Sequence, residues 1–177
     1  MYQSIDTLLK ALSRILALIG GGLLLAVTAL VVVSVGGRAL IWAGLGPVPG
    51  DFELVESATA LAIFCFLPWC QMERGHVSVD VFADWLGPRI DVVLQIAFNM
   101  LITAAAAFIL WRLWAGMQDK MLYNETTFIL QFPVWWGYAA CVPVGTVFVL
   151  VAAWSVVRSV VDARAVFSGT DTTGERG

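Results

Sequence analysis

The sequence predicts an all-α membrane protein with four transmembrane helices and both termini in the cytoplasm. Of its 177 residues, 60% are hydrophobic and only 13% are charged, whereas roughly 25% of residues are charged in soluble domains. Four apolar stretches follow one another, at about residues 15–42, 52–72, 90–113 and 133–157, and each is long enough to cross a bilayer. The net charge of -3 and the pI near 5.0 argue against a nucleic-acid partner, which would select a basic surface.

The first span is preceded by a short amphipathic segment. Residues 1–14 have apolar side chains at helical spacing and polar side chains between them, which predicts a helix lying in the membrane surface. The uncharged run Ile15–Gly37 has 23 residues, and at 1.5 Å per residue it covers roughly 34 Å. It is therefore too long for a signal peptide. Gly20, Gly21 and Gly22 predict a face that another helix can approach closely.

The second span begins with acids. Only Ser57–Met72 is uncharged, so a span of about 20 residues must include Asp51, Glu53 and Glu56 in its first turns. Carboxylates near a helix N-terminus are favoured by the helix dipole. Pro68 is expected to kink the last turn or to end the helix.

A second interfacial helix is predicted between spans two and three. From Val77 to Leu86 the apolar residues recur at helical intervals, while Asp80 and Asp84 take the opposite face. Gly87 and Pro88 end this short helix. We therefore expect it to lie on the cytoplasmic surface of the membrane.

Span three carries a polar stripe. Gln95, Asn99 and Thr103 stand at i, i+4 and i+8, so they share one helix face, which should contact protein rather than lipid. Pro133 opens the fourth span. The remaining residues, 161–177, are polar and predict a disordered cytoplasmic tail.

The distribution of basic residues predicts the orientation, because cytoplasmic loops are enriched in Lys and Arg. Seven fall on the side of the termini and the central loop: Lys10, Arg14, Arg74, Arg89, Arg158, Arg164 and Arg176. Three fall on the other side: Arg38, Arg112 and Lys120. Both termini are therefore predicted to be cytoplasmic, and the acidic start of span two faces outward.

Glu53 and Glu56 allow two interpretations. Ionisable residues within a span are candidates for a proton or cation site. Their position at the end of the span fits equally well with hydrated acids stabilised by the helix N-terminus. Arg38 could pair with either glutamate across the outer face.

The other residues that could carry chemistry give little support for catalysis. His76 is the only histidine, so a bis-histidine haem or a zinc site has no second imidazole; it either fixes a turn after Gly75 or contacts a partner. Cys65, Cys70 and Cys141 lie in apolar segments without a C-x-x-C pair. No nucleophile with a base and no phosphate loop is evident, so we predict neither an enzyme nor a cofactor.

Several short motifs, in this order, resemble one family. The second span has an acidic entry, and Leu67-Pro68 is followed by Glu73-Arg74-Gly75-His76-Val77-Ser78-Val79-Asp80. Glu125-Thr126 precedes Pro133-Val134-Trp135-Trp136-Gly137-Tyr138, and Val142-Pro143-Val144-Gly145 comes after it. Over about residues 10 to 160 the chain resembles the DctQ-like small membrane subunit of tripartite ATP-independent periplasmic (TRAP) transporters.

The resemblance implies a function within a complex in the bacterial inner membrane. A subunit of this kind sits beside a large, DctM-like subunit that moves a small organic acid by an elevator-like motion driven by a sodium gradient. A periplasmic binding protein delivers the substrate. The small subunit would extend the stationary scaffold and would contact its partners and membrane lipids. The residues that we expect at such contacts are Glu53, Glu56, Pro68, Gly75, His76, Asp80, Asn99, Glu125, Pro133 and Trp135.

Two other functions are compatible with the sequence. A small proton-coupled exporter working as a homodimer would require an acid deep in a span, and Glu56 is the single candidate. The chain could also be an accessory anchor subunit of another membrane complex. Purification would separate these, because an exporter would form a stable homodimer whereas a scaffold would need a much larger partner.

Overall fold

The computed structural model describes residues 2–73 and 88–167, and this part of the chain is almost entirely helical. Its elements are α1 (Tyr2–Ala39), a 3-10 turn (Ile41–Ala43), α2 (Asp51–Met72), α3 (Pro88–Leu122) and α4 (Trp135–Phe167). Within the described residues all four helices are long and apolar enough to cross a membrane, and no strand is present beyond one isolated bridge. The all-α fold with four candidate spans is confirmed.

The four helices form a row rather than a closed bundle. Helix α1 packs along α2, α2 packs against α4, and α4 packs against α3, whereas α1 barely touches α4. Helix α4 is the most central, with 33% of its most apolar stretch buried, against 6% for the edge helices α1 and α3. Both edge helices therefore expose long apolar surfaces.

Helix α1 joins two segments that the sequence predicted separately. Residues 2–39 form one helix, without a break between the amphipathic segment and the span. No helix-breaking residue separates them, so backbone hydrogen bonding continues. The location of the first turns in the membrane surface stays a prediction.

The contact between α1 and α2 is closest at Gly20. A Cβ atom there would lie 2.9 Å from the Cβ of Cys65 and 3.2 Å from the backbone oxygen of Ala62. At Gly21 and Gly22 an added Cβ would meet nothing within 4 Å. The predicted small-residue face thus serves the α1–α2 contact at one position and points outward at the next two.

Helix α2 continues past its proline. Pro68 lies inside the helix and is fully buried, and the helix runs on to Met72. Of the two expected effects of Pro68, an end of the helix is wrong, because the missing backbone hydrogen bond falls in the last turns, where packing holds the chain in place. A kink in the last turn stays a prediction.

The ends of α3 and α4 lie beyond the predicted spans. Helix α3 runs to Leu122, so much of the following connection is helical. Helix α4 runs to Phe167, so residues 161–167 are helical and not part of a disordered tail. No proline or glycine interrupts the helix there. The predicted helix Val77–Leu86 lies outside the described residues.

Candidate functional site

A tight loop follows α3 at the end of the molecule where α2 begins, here called the outer end. Within this loop the amide of Thr127 donates to the carbonyl of Phe132 (3.0 Å), and the amide of Val134 donates to the carbonyl of Glu125 (3.0 Å). Asn124 and Gln131 adopt positive φ angles of 49° and 54°, a conformation that Asn tolerates best among non-glycine residues. Residues 123–134, called the outer loop below, thus have a defined shape.

Glu53 fastens the outer loop to α2. Its carboxylate accepts hydrogen bonds from the backbone amides of Ile129 (2.6 Å) and Leu130 (3.0 Å). The side chain of Leu130 also covers Gly50, the residue before α2, whose φ of 73° favours glycine. Glu53 is therefore a structural clamp between two segments distant in sequence.

Two further polar contacts lie at the outer end. Asp51 accepts a hydrogen bond from the hydroxyl of Ser34 (2.5 Å) and lies 3.8 Å from the guanidinium of Arg38, so it links α2 to the end of α1. Arg38 thus pairs with Asp51 and not with either glutamate proposed from sequence. Lys120 and Glu125 form an ion pair at 2.5 Å where α3 meets the outer loop.

Asn99 joins three helices. Its side-chain oxygen accepts from the amide of Gln71 on α2 (3.1 Å), and its side-chain nitrogen donates to the hydroxyl of Ser159 on α4 (2.8 Å). Thr103 donates to the backbone carbonyl of Asn99 one turn earlier (2.7 Å). The polar stripe therefore faces protein at Asn99, as predicted, but the protein is this chain.

The opposite end of the molecule has its own cluster. Asp6 accepts from the indole nitrogen of Trp154 (3.2 Å) and lies 3.1 Å from Lys10 and 3.5 Å from Arg158. These contacts link the start of α1 to the last turns of α4, which otherwise barely meet. The two helix ends thus lie at the same end of the molecule.

A groove of about 570 Å³ opens at the outer end between α2, α4 and the outer loop. One face of α2 and one face of α4 form its walls, and Leu113 of α3 also lines it. Small side chains stand where the two helices face each other, namely Ser57, Ala60 and Gly137, which leaves the space open. The other lining residues are Glu53, Glu56, Phe64, Thr127, Phe128, Phe132, Val134, Tyr138 and Cys141.

The contact residues predicted from the sequence differ in their location and exposure, and one group of them lies at the outer end. Glu56 is exposed and lines the groove. Pro133 forms the bridge with Thr126, and Trp135 begins α4 beside Trp136, with ring centroids 6.2 Å apart. These residues all lie at the outer end.

The remaining predicted contacts are less accessible or not described. Pro68 is buried within its own chain, and Asn99 has both amide atoms engaged, which favours packing roles for both residues. Gly75, His76 and Asp80 lie outside the described residues.

Sequence reasoning missed several of the residues that hold the site together. Gln71 was placed inside the apolar second span, Ser159 lay just beyond the predicted end of span four at about residue 157, and Asp51 was grouped with the glutamates. The signal was present, because Ser155 and Ser159 are spaced i, i+4 on α4 and give it a polar face like that of α3. The sequence does not show which of these polar residues contact each other, because that depends on the order in which the helices pack.

Side chains that could bind a metal ion are not grouped in the described residues, and the cysteines are free thiols. Within residues 2–73 and 88–167, no three His, Cys, Asp or Glu side chains are grouped so that they could hold a metal ion. Cys65 and Cys141 are buried free thiols, as predicted, whereas Cys70 is partly exposed.

Comparison with known families gives one clear result. A family model described as "Tripartite ATP-independent periplasmic transporters, DctQ component" matches residues 27–164. The match includes all of α2 and α3 and nearly all of α4. No significant match to a curated protein or to a solved structure was found.

Proposed function

Because the chain belongs to the DctQ family, the small membrane subunits of TRAP transporters, we propose that it braces a large DctM-like subunit during transport. The large subunit would move a small organic acid by an elevator-like motion driven by sodium, and a periplasmic binding protein would deliver the substrate. The family match is the observation that carries the proposal.

The arrangement of the helices supports a scaffold role. A row of helices exposes more side surface than a closed bundle of the same helices, and this surface is available to a larger protein and to lipid. Exposed apolar residues on both edge helices, such as Leu25, Val32, Leu101 and Phe108, fit either environment. A stationary part of an elevator requires such a broad contact area.

Uptake by membrane vesicles tests the proposal. Vesicles holding this chain, a large DctM-like subunit and a periplasmic binding protein of the same transporter should accumulate an organic acid when a sodium gradient is imposed. Vesicles lacking either membrane subunit should not. Accumulation by vesicles with the large subunit and binding protein alone would exclude an essential bracing role, and proton-driven export by this chain alone would favour the homodimeric exporter.

We further propose that both termini are cytoplasmic in the inner membrane. The seven-to-three distribution of basic residues supports this orientation, and the contact of Asp6 with Arg158 supports a common side for both helix ends. Reporter enzymes active only in the periplasm should be inactive when fused after Phe167 and active when inserted at Gly46. The reverse pattern would invert the topology.

The outer end and the central loop are the proposed contact regions for partners and lipids. The outer-end candidates are Glu53, Glu56, Glu125, Pro133 and Trp135, and those of the central loop are Gly75, His76 and Asp80. Alanine at Glu56 or Asp80 should reduce co-purification of the large subunit, whereas alanine at exposed Glu73 should not. Full retention and full uptake in both variants would remove these residues from the contact set.

A further inference from the structure

The groove at the outer end has walls from separate parts of the chain, which distinguishes it from a simple packing defect. Residues 53, 56, 57, 60 and 64 form one face of α2, and residues 137, 138 and 141 form one face of α4. The outer loop supplies a third wall. The groove is therefore formed by three separate segments, one of which Glu53 holds in place.

Glu56 is the charged group of the groove that has no partner. Within the described part of the chain its carboxylate makes no hydrogen bond or ion pair, whereas Glu53 binds two loop amides. Lys120, at the same end of the molecule, is paired with Glu125. A carboxylate beside apolar walls in a membrane protein favours a positive counter-charge.

Aromatic rings surround the same space. Phe64, Phe128, Phe132 and Tyr138 all line the groove. The face of an aromatic ring carries negative electrostatic potential and attracts cations, most strongly where water is excluded. An unpaired carboxylate together with several aromatic rings therefore selects an organic cation, while apolar walls select an attached hydrocarbon chain.

The size of the groove favours a small molecule over a segment of a partner protein. Its volume of about 570 Å³ lies within the range of roughly 300–1,000 Å³ found for ligand sites. This volume holds no more than about one turn of a partner helix, which is about 10–12 Å across with side chains and rises about 5.4 Å per turn.

We propose that this groove binds an ammonium group carried on an apolar chain. The chain lies between α2 and α4, beside Ala60 and Gly137, and the ammonium group lies against the carboxylate of Glu56 and the aromatic rings. The assignment concerns a ligand of this chain alone. It makes that ligand the direct neighbour of Glu56, so alanine at Glu56 would weaken the complex with the large subunit through loss of the ligand.

Calorimetry on the purified full chain in uncharged maltoside micelles tests the proposal. Hexyltrimethylammonium is the probe, 1-hexanol is the uncharged comparison, and empty micelles give the background. The cation should bind saturably at one site per chain and more tightly than the alcohol. Glu56→Gln should weaken binding by roughly tenfold, the loss expected for one carboxylate–ammonium contact beside aromatic rings.

Two further variants separate loss of the site from loss of the fold. Glu73→Gln removes an exposed acid at the other end of α2 and should leave binding unchanged. Ala60→Phe places a large side chain in the groove from an exposed position and should weaken binding without lowering the melting temperature. Equal binding of cation and alcohol, or unchanged binding in Glu56→Gln, would overturn the proposal.

A second measurement identifies the occupant in the assembled transporter. The complex with the large subunit should still bind the probe if the groove serves a free amphiphile. Loss of binding in the complex would mean that the partner fills the groove, and the ligand assignment would then be wrong. Failure of the complex to form would instead contradict the bracing function, since the first measurement needs only this chain.

Discussion

Replacing Gly20 with alanine should push α1 away from α2. The added Cβ would lie 2.9 Å from the Cβ of Cys65 and 3.3 Å from the ring of Phe66, whereas carbon atoms in favourable contact are about 3.5–4.0 Å apart. The helices would therefore have to separate by roughly 0.6–1.1 Å. Overpacking of this kind typically costs about 1–3 kcal/mol.

Gly21→Ala is the matched control because it lies next to Gly20 in the same helix and its Cβ would meet nothing within 4 Å. Both substitutions gain the same helix propensity, about 0.5–1 kcal/mol, so that contribution cancels between them. The remaining difference is the steric cost of about 1–3 kcal/mol. At roughly 2–4 °C per kcal/mol for a chain of this length, Gly20→Ala should melt about 2–12 °C below Gly21→Ala.

Thermal unfolding in maltoside micelles measures this difference, and thiol labelling measures its cause. Cys65 is only 2% exposed beneath α1, so separation of the helices should speed its reaction with maleimide, as followed by peptide mass spectrometry. Equal melting temperatures for the two variants, with unchanged labelling of Cys65, would refute the close α1–α2 contact.

Three further predictions concern polar contacts. Glu53→Gln should speed hydrogen exchange of the outer-loop amides that this carboxylate binds, and Glu73→Gln should not; equal rates in both variants would argue against the clamp. Asn99→Leu should destabilise the chain by about 1–2 kcal/mol, because it leaves the side-chain amide of Gln71 without its partner and removes the hydrogen bond to Ser159, whose hydroxyl still donates to Ser155. Thr103→Val removes only a bond within its own helix, so its melting temperature should fall less, and an equal fall would contradict the junction. Arg38→Gln should lower the melting temperature by no more than about 4 °C, since the arginine side chain is 55% exposed, exposed ion pairs contribute about 0–1 kcal/mol, and each kcal/mol corresponds to roughly 2–4 °C. A larger fall would show a stronger role for the pair.

The existence of the helices could be read from the chain, but their exact ends could not. Long uncharged runs have few alternatives in a bilayer, because each backbone polar group must be satisfied within its own segment. Helix ends depend on weaker local preferences, so the extension of α4 to Phe167 was not foreseen. The joining of the amphipathic segment and the first span into one helix, α1, was missed for the same reason. For α2, the predicted span of 52–72 left open whether Pro68 ends the helix.

The candidate site was only partly predictable. The acids of α2 stood out because charge is rare in a span, and both Glu53 and Glu56 do line the groove. Their different roles depend on the outer loop, which is distant in sequence and brings its amides to one glutamate but not to the other. Spacing along a single helix contains no information about such a loop.

The amino-acid sequence by itself determined that this is a four-helix membrane chain of the DctQ type, because hydrophobic length and short motifs are local properties. The tertiary structure alone decided that the helices stand in a row, that Asn99 joins three of them, and that Glu56 remains unpaired beside a groove. The physical reason is that side-chain partners are selected by helix packing, and apolar helices of similar composition can pack in several orders until close contacts such as that at Gly20 select one.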